Sequence, residues 1–177
     1  MTSMPFLRFM ACVVCLLFIS LTALGLGGYR WNSSTSAPVG LWRLVHSDPN
    51  AIRVGDYVLL CPPNHAELAK LARAHILPIG QCAPGIAPFL KQVVALSGSQ
   101  FSVNDDGITL DGKLIANTKP VDYGSLTIAA ATIVPPRHIV AVQSMHPRSI
   151  DSRYFGPISI ERIQGVVVPK WLAQTGY

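Results

Sequence analysis

The hydrophobic pattern divides the chain into one long apolar run and a series of short alternating segments. The 20 residues of 9–28 include no charged residue. A run of this length is enough for a helix to cross a bilayer, and we therefore predict a transmembrane anchor. A cleaved signal peptide is the alternative, because Ala23-Leu24-Gly25 loosely resembles a small-x-small cleavage site. The run is long for a signal peptide, which favours a retained anchor.

Beyond the anchor, short β-type segments alternate with Pro and Gly turns. Asn104-Asp105-Asp106-Gly107 lies between two of them and is typical of a hairpin. The other strands are predicted at 57–60, 89–96, 139–142 and 163–168, and 125–134 reads as loop or strand. Many short strands separated by such turns predict a mainly β domain of the barrel or sandwich type over residues 29–177.

One segment of this domain departs from the β pattern. Residues 64–75 are predicted to form a helix capped by Asn64, which is followed three residues later by a glutamate. Cys61 and Cys82 flank this segment, and in an oxidising compartment they would form a disulfide closing a loop of about 20 residues. Two histidines between them make a zinc site an alternative, although their spacing matches no common one.

The strand predicted at 89–96 carries an unusual charge. Period two places Phe89, Lys91, Val93 and Ala95 on one face, where Lys91 is the only charged residue. A lysine acts as a base only when neutral, so its pKa must fall from about 10.4, and burial among apolar neighbours has that effect. The ordinary interpretation is a side chain whose head reaches water from a strand end.

A loop rich in hydroxyl groups follows the anchor. It reads Asn-Ser-Ser-Thr-Ser-Ala-Pro-Val-Gly-Leu-Trp over residues 32–42. Pro38 fixes its own φ and Gly40 permits a turn that a side chain would obstruct. Ser36 therefore lies on a stiff loop, which suits a nucleophile, although the composition alone is that of an ordinary loop.

Composition and charge narrow the function classes. Of the 177 residues, half are hydrophobic and 13% are charged, against about 25% charged in a soluble domain. A membrane-attached protein is therefore favoured. The net charge of +5 is spread without a Lys/Arg run, which argues against nucleic acid and favours attraction to anionic lipid heads. Neither a phosphate-cradling glycine loop nor a metalloprotease helix is present, so no metal or other cofactor is predicted.

Four segments occur in the order of the conserved boxes of bacterial type I signal peptidases. They are Ser36-Ala-Pro-Val-Gly-Leu-Trp42, Gly55-Asp-Tyr-Val58, Lys91-Gln-Val-Val-Ala-Leu-Ser-Gly98 and Ser149-Ile-Asp-Ser-Arg-Tyr-Phe-Gly156. The short Ser-x-Pro-x-Gly-Leu-aromatic form of the first resembles the TraF-type conjugative transfer signal peptidases in particular. Any one segment is a weak signal, whereas four in order behind an N-terminal anchor are a strong one.

The resemblance implies a serine endopeptidase with a Ser/Lys dyad on a signal-peptidase-like, mainly β fold. By similarity Ser36 is the nucleophile and Lys91 the general base, and the backbone N–H of Ser36 with the hydroxyl of Ser34 forms the oxyanion hole. Ser149 would bond to Lys91 and orient it. The last segment would be held by a pair between two further residues, Asp151 and Arg153.

The family also implies a location. Residues 9–28 would anchor the chain in the bacterial inner membrane, with residues 1–8 in the cytoplasm and residues 29–177 in the periplasm. That compartment favours the disulfide between Cys61 and Cys82 over zinc, so residues 61–82 would form a small helical insert closed by a disulfide.

Two stretches depart from the family pattern. Gly98-Ser99 stands where the family has Gly-Asp, so a supporting carboxylate is missing. Ser144-Met145-His146 stands where Gly-Asp-Asn often precedes the last segment. Both departures concern groups around the dyad rather than the dyad itself.

The predicted function is maturation of an exported precursor, in the first place a conjugative pilin. Water could release the acyl group from the enzyme, or the substrate's own amino terminus could do so and give a cyclic pilin. The expected partners are that precursor, inner-membrane lipid and components of conjugative transfer or type IV secretion. The alternatives are a general signal peptidase and a non-catalytic part of a pilus or secretion assembly. An unused buried Lys91 would be costly, which argues against the last. The substrate walls are predicted to be Val39, Leu41, Trp42, Val93 and Phe155.

Overall fold

The computed structural model describes residues 3–123 and 126–173. Within them, three α-helices and twelve strands follow one another along the chain. They are α1 (Ser3–Leu26), β1 (Tyr29–Asn32), β2 (Gly40–His46), β3 (Tyr57–Leu60), α2 (Ala66–Arg73), β4 (Ile79–Cys82), β5 (Phe89–Leu96), β6 (Gln100–Asn104), β7 (Gly107–Leu110), β8 (Lys113–Leu114), β9 (Thr132–Ile133), β10 (His138–Val142), α3 (Ser152–Phe155), β11 (Ile158–Ser159) and β12 (Ile163–Leu172). Parts of three predicted segments, at residues 1–2, 125 and 174–177, lie outside the described residues.

Helix α1 covers residues 9–26 of the predicted anchor, begins six residues before it and ends two residues short of its predicted end. Its 24 residues extend over about 36 Å at 1.5 Å per residue. Met4–Leu26 is long and apolar enough to cross a membrane, and none of it is buried against the domain. At its end, Arg30 Nη1 donates to Gly25 O at 2.9 Å, and Leu44 N donates to Gly28 O at 2.9 Å. The helix is therefore joined to the domain through the first two strands.

Two antiparallel sheets form the domain and confirm the predicted mainly β class. The larger sheet has seven strands in the order β1-β2-β12-β3-β5-β10-β11, and the smaller has four in the order β8-β7-β6-β9. One apolar cluster draws residues from β3, β5, β10, β11 and β12 on one face of the larger sheet. A second cluster joins β5 and β10 to β6 and β7, so the smaller sheet packs on the opposite face. The predicted hairpin is confirmed, with Asn104 paired to Gly107.

Strand β5 does not keep a regular alternation. Ala141 pairs with Val93 and Val140 with Ala95, so β5 has one extra residue, Val94, at this point. Such a bulge reverses the side-chain faces beyond it. The prediction that Ala95 shares the face of Lys91 is therefore wrong, and Ala95 packs in the cluster under the smaller sheet.

The helical insert is present, but its cap differs from the prediction. Helix α2 begins at Ala66, and His65 rather than Asn64 is the N-cap, with its Nδ1 accepting from Glu67 N at 3.2 Å. Cys61 and Cys82 form a disulfide. Their sulfur atoms are bonded to each other, so the zinc alternative does not hold.

Gly40 is required for a reason other than the predicted turn. It is the first residue of β2, where the strand lies against β12, and its φ is 152°. A Cβ built there would lie 2.2 Å from Trp171 O. The glycine therefore permits a close approach of two strands at the end of the Ser36 loop.

Candidate active site

Ser36 lies in the loop that leaves the sheet at Asn32 and returns at Gly40, two residues that pair across β1 and β2. Its hydroxyl is 2.8 Å from the Ser34 hydroxyl, and its backbone N–H donates to Ser34 Oγ at 3.3 Å. The loop is held from inside by Trp42, whose indole N–H donates to Pro38 O at 3.1 Å. Both groups of the predicted oxyanion hole are thus adjacent to the Ser36 hydroxyl.

Lys91 is buried, with 3% of its surface exposed. Its ammonium donates to Ser149 Oγ at 2.5 Å and lies 5.4 Å from the centre of the Phe89 ring. Burial lowers the pKa of Lys91 from its ordinary 10.5 to about 8. The charge of Asp151 raises this pKa and that of Arg153 lowers it, each by less than burial does. A sizeable fraction of Lys91 is therefore neutral near pH 8.

Asp151 and Arg153 form an ion pair with no exposed side-chain surface, rather than a surface pair. Arg153 Nη2 lies 2.7 Å from Asp151 Oδ2, and Arg153 Nε donates to Asp151 Oδ1 at 2.9 Å. The carboxylate also accepts from Gln143 N at 3.0 Å. Burial depresses the pKa of Arg153, but its bonds to Asp151 raise it overall. The pair joins α3 to the end of β10 and holds the chain that carries Ser149.

A cleft of about 740 Å³ brings the candidate residues together. Ser34, Ser36, Lys91 and Ser149 all line it. The structure has no hydrogen bond between Ser36 and Lys91, because each bonds to a neighbouring serine instead. Catalytic hydrogen bonds are often long or misaligned before substrate binds. Ser36 and Lys91 therefore line one cleft, and each has a serine as its present partner.

The far wall of the cleft comes from the helical insert. It is apolar and is formed by Leu71, Ile76, Leu77, Pro78 and Ile79. The base of the insert packs on Ile150 and Phe155, in the segment that also carries Ser149, the partner of Lys91. The sequence patterns did not assign a substrate wall to this segment, because its proximity to Ser36 depends on how the insert folds back over the sheet.

Four of the five predicted substrate walls are wrong for this cleft, and only Trp42 lines it. Leu41 precedes Trp42 in a strand and therefore points to the other face of the sheet. Val93 and Phe155 pack against the main core cluster. Val39 lines a smaller pocket with Pro38 and Met145.

The two departures from the family pattern differ in location. Ser99 lies in the turn between β5 and β6 and is not among the cleft-lining residues that the structure describes. His146 does line the cleft, and its Nδ1 accepts from Arg148 N at 3.2 Å. The change at Ser144-Met145-His146 is therefore the one that alters the cleft.

Asn32 is a residue whose role the sequence reasoning missed. Its side-chain amide bonds to the backbone of the loop that follows it. An asparagine directly before a Ser-rich loop favours an Asx turn to the residue two positions on, here Ser34, and this was the available signal.

Comparisons with known proteins identify the family to which this chain is similar. Residues 3–172 match the family described as signal peptidase, peptidase S26. The conjugal transfer protein TraF of Agrobacterium tumefaciens (strain 15955) is 38% identical over 75% of this chain and 76% of its own length. The conjugal transfer protein TraF of Agrobacterium fabrum is 34% identical over 96% of this chain and 97% of its own. A crystal structure of a signal peptidase I from Enterococcus faecalis V583 aligns with 65% of this chain and 95% of that one, at 17% identity and a TM-score of 0.37.

Proposed function

The chain belongs to the peptidase S26 family of signal peptidases, and we propose that it is a membrane-anchored serine endopeptidase that cuts an exported precursor with a Ser36/Lys91 dyad. The observation that carries the proposal is Lys91, a buried lysine with a lowered pKa whose ammonium faces the same cleft as a serine on a braced loop. A lysine with no chemical task would keep its head in water.

The proposed reaction is acyl transfer. Ser36 Oγ attacks the scissile carbonyl carbon while neutral Lys91 Nζ takes the hydroxyl proton. The Ser36 N–H and the Ser34 hydroxyl stabilise the negative charge that develops on the carbonyl oxygen. As the intermediate collapses, Lys91 returns the proton to the leaving amine, and an ester remains on Ser36. A second nucleophile then releases the acyl group, either water or the substrate's own amino terminus.

Ser149, Asp151 and Arg153 support this chemistry without touching the reacting carbonyl. Ser149 fixes the direction of the Lys91 ammonium. The buried pair of Asp151 and Arg153 anchors the backbone on both sides of Ser149's segment, since Arg153 Nη1 also donates to Pro147 O at 2.6 Å. Burial favours the neutral form of Lys91, and the opposite charges of the pair offset each other in part, so they do not reverse that effect.

The proposed location is the inner membrane with the domain in the periplasm. Helix α1 is long and apolar enough to cross the bilayer, and the cleft lining begins at Arg30, four residues beyond its end. The disulfide between Cys61 and Cys82 fits an oxidising compartment. A cut site next to the membrane suits a precursor that is itself held in the membrane.

The favoured substrate is a conjugative pilin rather than secreted proteins in general. Relatives with 34–38% identity are named conjugal transfer protein TraF, and the loop at Ser36 has the short form that resembles this branch. The cleft is expected to take an extended peptide along a strand edge. We expect small residues one and three positions before the cut, with Ala favoured over Leu or Phe at the first.

The test is mass spectrometry of the candidate pilin from cells that carry the wild-type gene, a deletion or Ser36→Ala. We expect a shortened pilin, linear or cyclic, in the wild type and full-length precursor in the other two. Ser102→Ala, a serine in β6 of the smaller sheet, is the matched control and should leave processing intact. Normal processing in the Ser36→Ala cells would contradict the proposal.

The anchor is tested separately. The mature protein should keep its amino terminus and stay in the membrane during carbonate extraction. Protease added to spheroplasts should digest the domain beyond Tyr29. A mature chain that begins near Leu26 would identify a cleaved signal peptide instead.

A further inference from the structure

Asn32 occupies an unusual position in the loop that carries Ser36. It is the last residue of β1, and its pairing with Gly40 closes residues 33–39 into a loop at the edge of the sheet. Its side chain Nδ2 lies within hydrogen-bond distance of three carbonyl oxygens of that loop, those of Ser34 at 3.0 Å, Ala37 at 3.2 Å and Pro38 at 3.0 Å. Its Oδ1 accepts from Ser34 N at 3.1 Å.

These bonds surround Ser36 on both sides. An asparagine amide has two N–H donors, so three carbonyls at these distances share them. The carbonyls belong to the residues before and after Ser36, and the loop contributes only one backbone bond of its own here, from Ala37 N to Ser34 O at 3.4 Å. The side chain of Asn32 thus replaces the ladder hydrogen bonds that this stretch would have in a strand.

The consequence for Ser36 is geometric. Ser34 Oγ and the Ser36 N–H, the two oxyanion donors of the proposed function, lie on the stretch of chain that runs from Ser34 to Ala37. Asn32 holds both of these backbone positions. A misplacement of about 1 Å at such groups is enough to reduce turnover about a hundredfold.

We propose that Asn32 is a positioning residue for the nucleophile loop, which keeps Ser36 and its oxyanion donors aligned with the cleft. This inference rests on the proposed function and adds a residue to it. Asn32 lines the cleft, but its side-chain amide is engaged with the loop backbone, so it acts on turnover rather than on binding.

The test compares full-length wild type, Asn32→Ala and Asn32→Asp in detergent, with a peptide spanning the cut site found by mass spectrometry. Asn32→Ala removes every hydrogen bond between the Asn32 side chain and the loop backbone. Asn32→Asp keeps the acceptor for Ser34 N and places a carboxylate against the carbonyls. We expect kcat to fall about ten- to a hundredfold in both variants, with KM changed less than about threefold. The pH at which the rate of Asn32→Ala levels off should stay at the wild-type value, because Lys91 is untouched.

Asn104 provides a matched control in the smaller sheet. Its Oδ1 accepts from Asp106 N at 2.9 Å and from Gly107 N at 3.2 Å, so it braces a turn as Asn32 does, but it does not line the cleft. Asn104→Ala should leave kcat within about twofold of the wild type. Hydrogen exchange should quicken over residues 33–39 in Asn32→Ala and over the hairpin in Asn104→Ala.

The outcomes separate the two claims. An active wild type beside Asn32 variants with unchanged kcat would overturn the positioning role and leave the peptidase proposal standing. A loss confined to KM would also overturn it, because it would make Asn32 a binding residue. A wild type that cleaves no precursor would overturn the proposed function and this inference together.

Discussion

The two sheets of this domain differ in how many polar or charged side chains are buried against them. Among the described residues, the buried polar or charged side chains number seven, and six of them lie in β5, at the end of β10 or in the 149–153 segment, all associated with the larger sheet. The smaller sheet and its loops contribute one, Thr118, whose hydroxyl accepts from Ile108 N at 2.8 Å and donates to Ile115 O at 2.6 Å.

This difference separates groups with a structural task from groups with a chemical one. Thr118 satisfies a backbone N–H, which is a sufficient reason for burying a hydroxyl. Lys91 donates to the Ser149 hydroxyl, a partner that an uncharged side chain could also serve, and burial disfavours its charged form. The larger sheet therefore carries a destabilising feature that the proposed chemistry explains, whereas the smaller sheet is a conventional apolar unit.

The largest effect should come from the dyad. Ser36→Ala and Lys91→Ala should each lower kcat/KM at least about a thousandfold, and the double variant should lose no more than either single one, since the two residues act as a unit. Lys91→Arg should also fail, because arginine stays charged. Lys113→Arg, at an exposed position of β8, is the matched control and should be neutral. Full activity in any of these three single variants would mean that the polar groups buried in the larger sheet do not serve catalysis.

The next effect concerns the buried ion pair. Asp151→Ala should lower the free energy of unfolding by about 3–5 kcal/mol, because it leaves Arg153 buried without its partner. The control is Arg137→Ala, which breaks an exposed pair with Glu161 at 3.8 Å and should cost less than about 1 kcal/mol. Denaturant unfolding followed by tryptophan fluorescence measures both. Equal small losses would mean that the buried pair does not hold the 149–153 segment.

These two regions also differ in how much of them the sequence predicted. The hairpin of the smaller sheet follows from local turn chemistry at Asn104 to Gly107, so it was found without a partner strand. The sheet face on which Ala95 lies depends on a bulge that is set by pairing with β10. The N-cap of α2 is a histidine, one residue beyond the predicted asparagine. Long-range pairing also extends β12 to Leu172 and creates β1, which no local pattern indicated.

The candidate site shows the same division. Lys91 was visible as one charge in an apolar strand, and Ser36 as a hydroxyl beside Pro38 and Gly40, but their roles came from the order of four segments. The residues missed are the apolar wall of the insert, whose contacts depend on folding, and Asn32. The Asx turn of Asn32 is local, but its bonds to Ala37 and Pro38 depend on how the loop closes. Sequence periodicity carries no information on which loop closes over which strand.

A smaller effect is expected at Lys91, where a substitution should raise the free energy of unfolding. The folded pKa of about 8 lies below the unfolded value of 10.5, so between these values the unfolded chain holds a proton that the folded chain has released. Wild-type stability should therefore rise from pH 8 to 10.5. Lys91→Met removes the buried ammonium and should stabilise the protein at pH 7 by up to about 3 kcal/mol, without that pH dependence. Lys113→Met should change neither quantity, and a destabilised Lys91→Met would contradict the account of burial.

The smallest effect should come from Thr118. Thr118→Val keeps the shape and leaves the Ile108 N–H without its acceptor, so the free energy of unfolding should fall by about 1–2 kcal/mol. Peptide cleavage should stay within about twofold of the wild type, because the hydroxyl lies in a loop packed on the smaller sheet. A large loss of kcat at unchanged stability would show that the smaller sheet takes part in the chemistry.

The pH dependence of kcat/KM for a peptide without titratable groups tests directly whether buried Lys91 acts as a neutral base. We predict a tenfold rise per pH unit below about 8 and a plateau above it, because the active form is the one that has lost the Lys91 proton. His146 lines the same cleft, so His146→Gln is the control, and it should leave this profile unchanged. A flat profile between pH 6 and 9, or an inflection that His146→Gln removes, would contradict the role of Lys91 as the base.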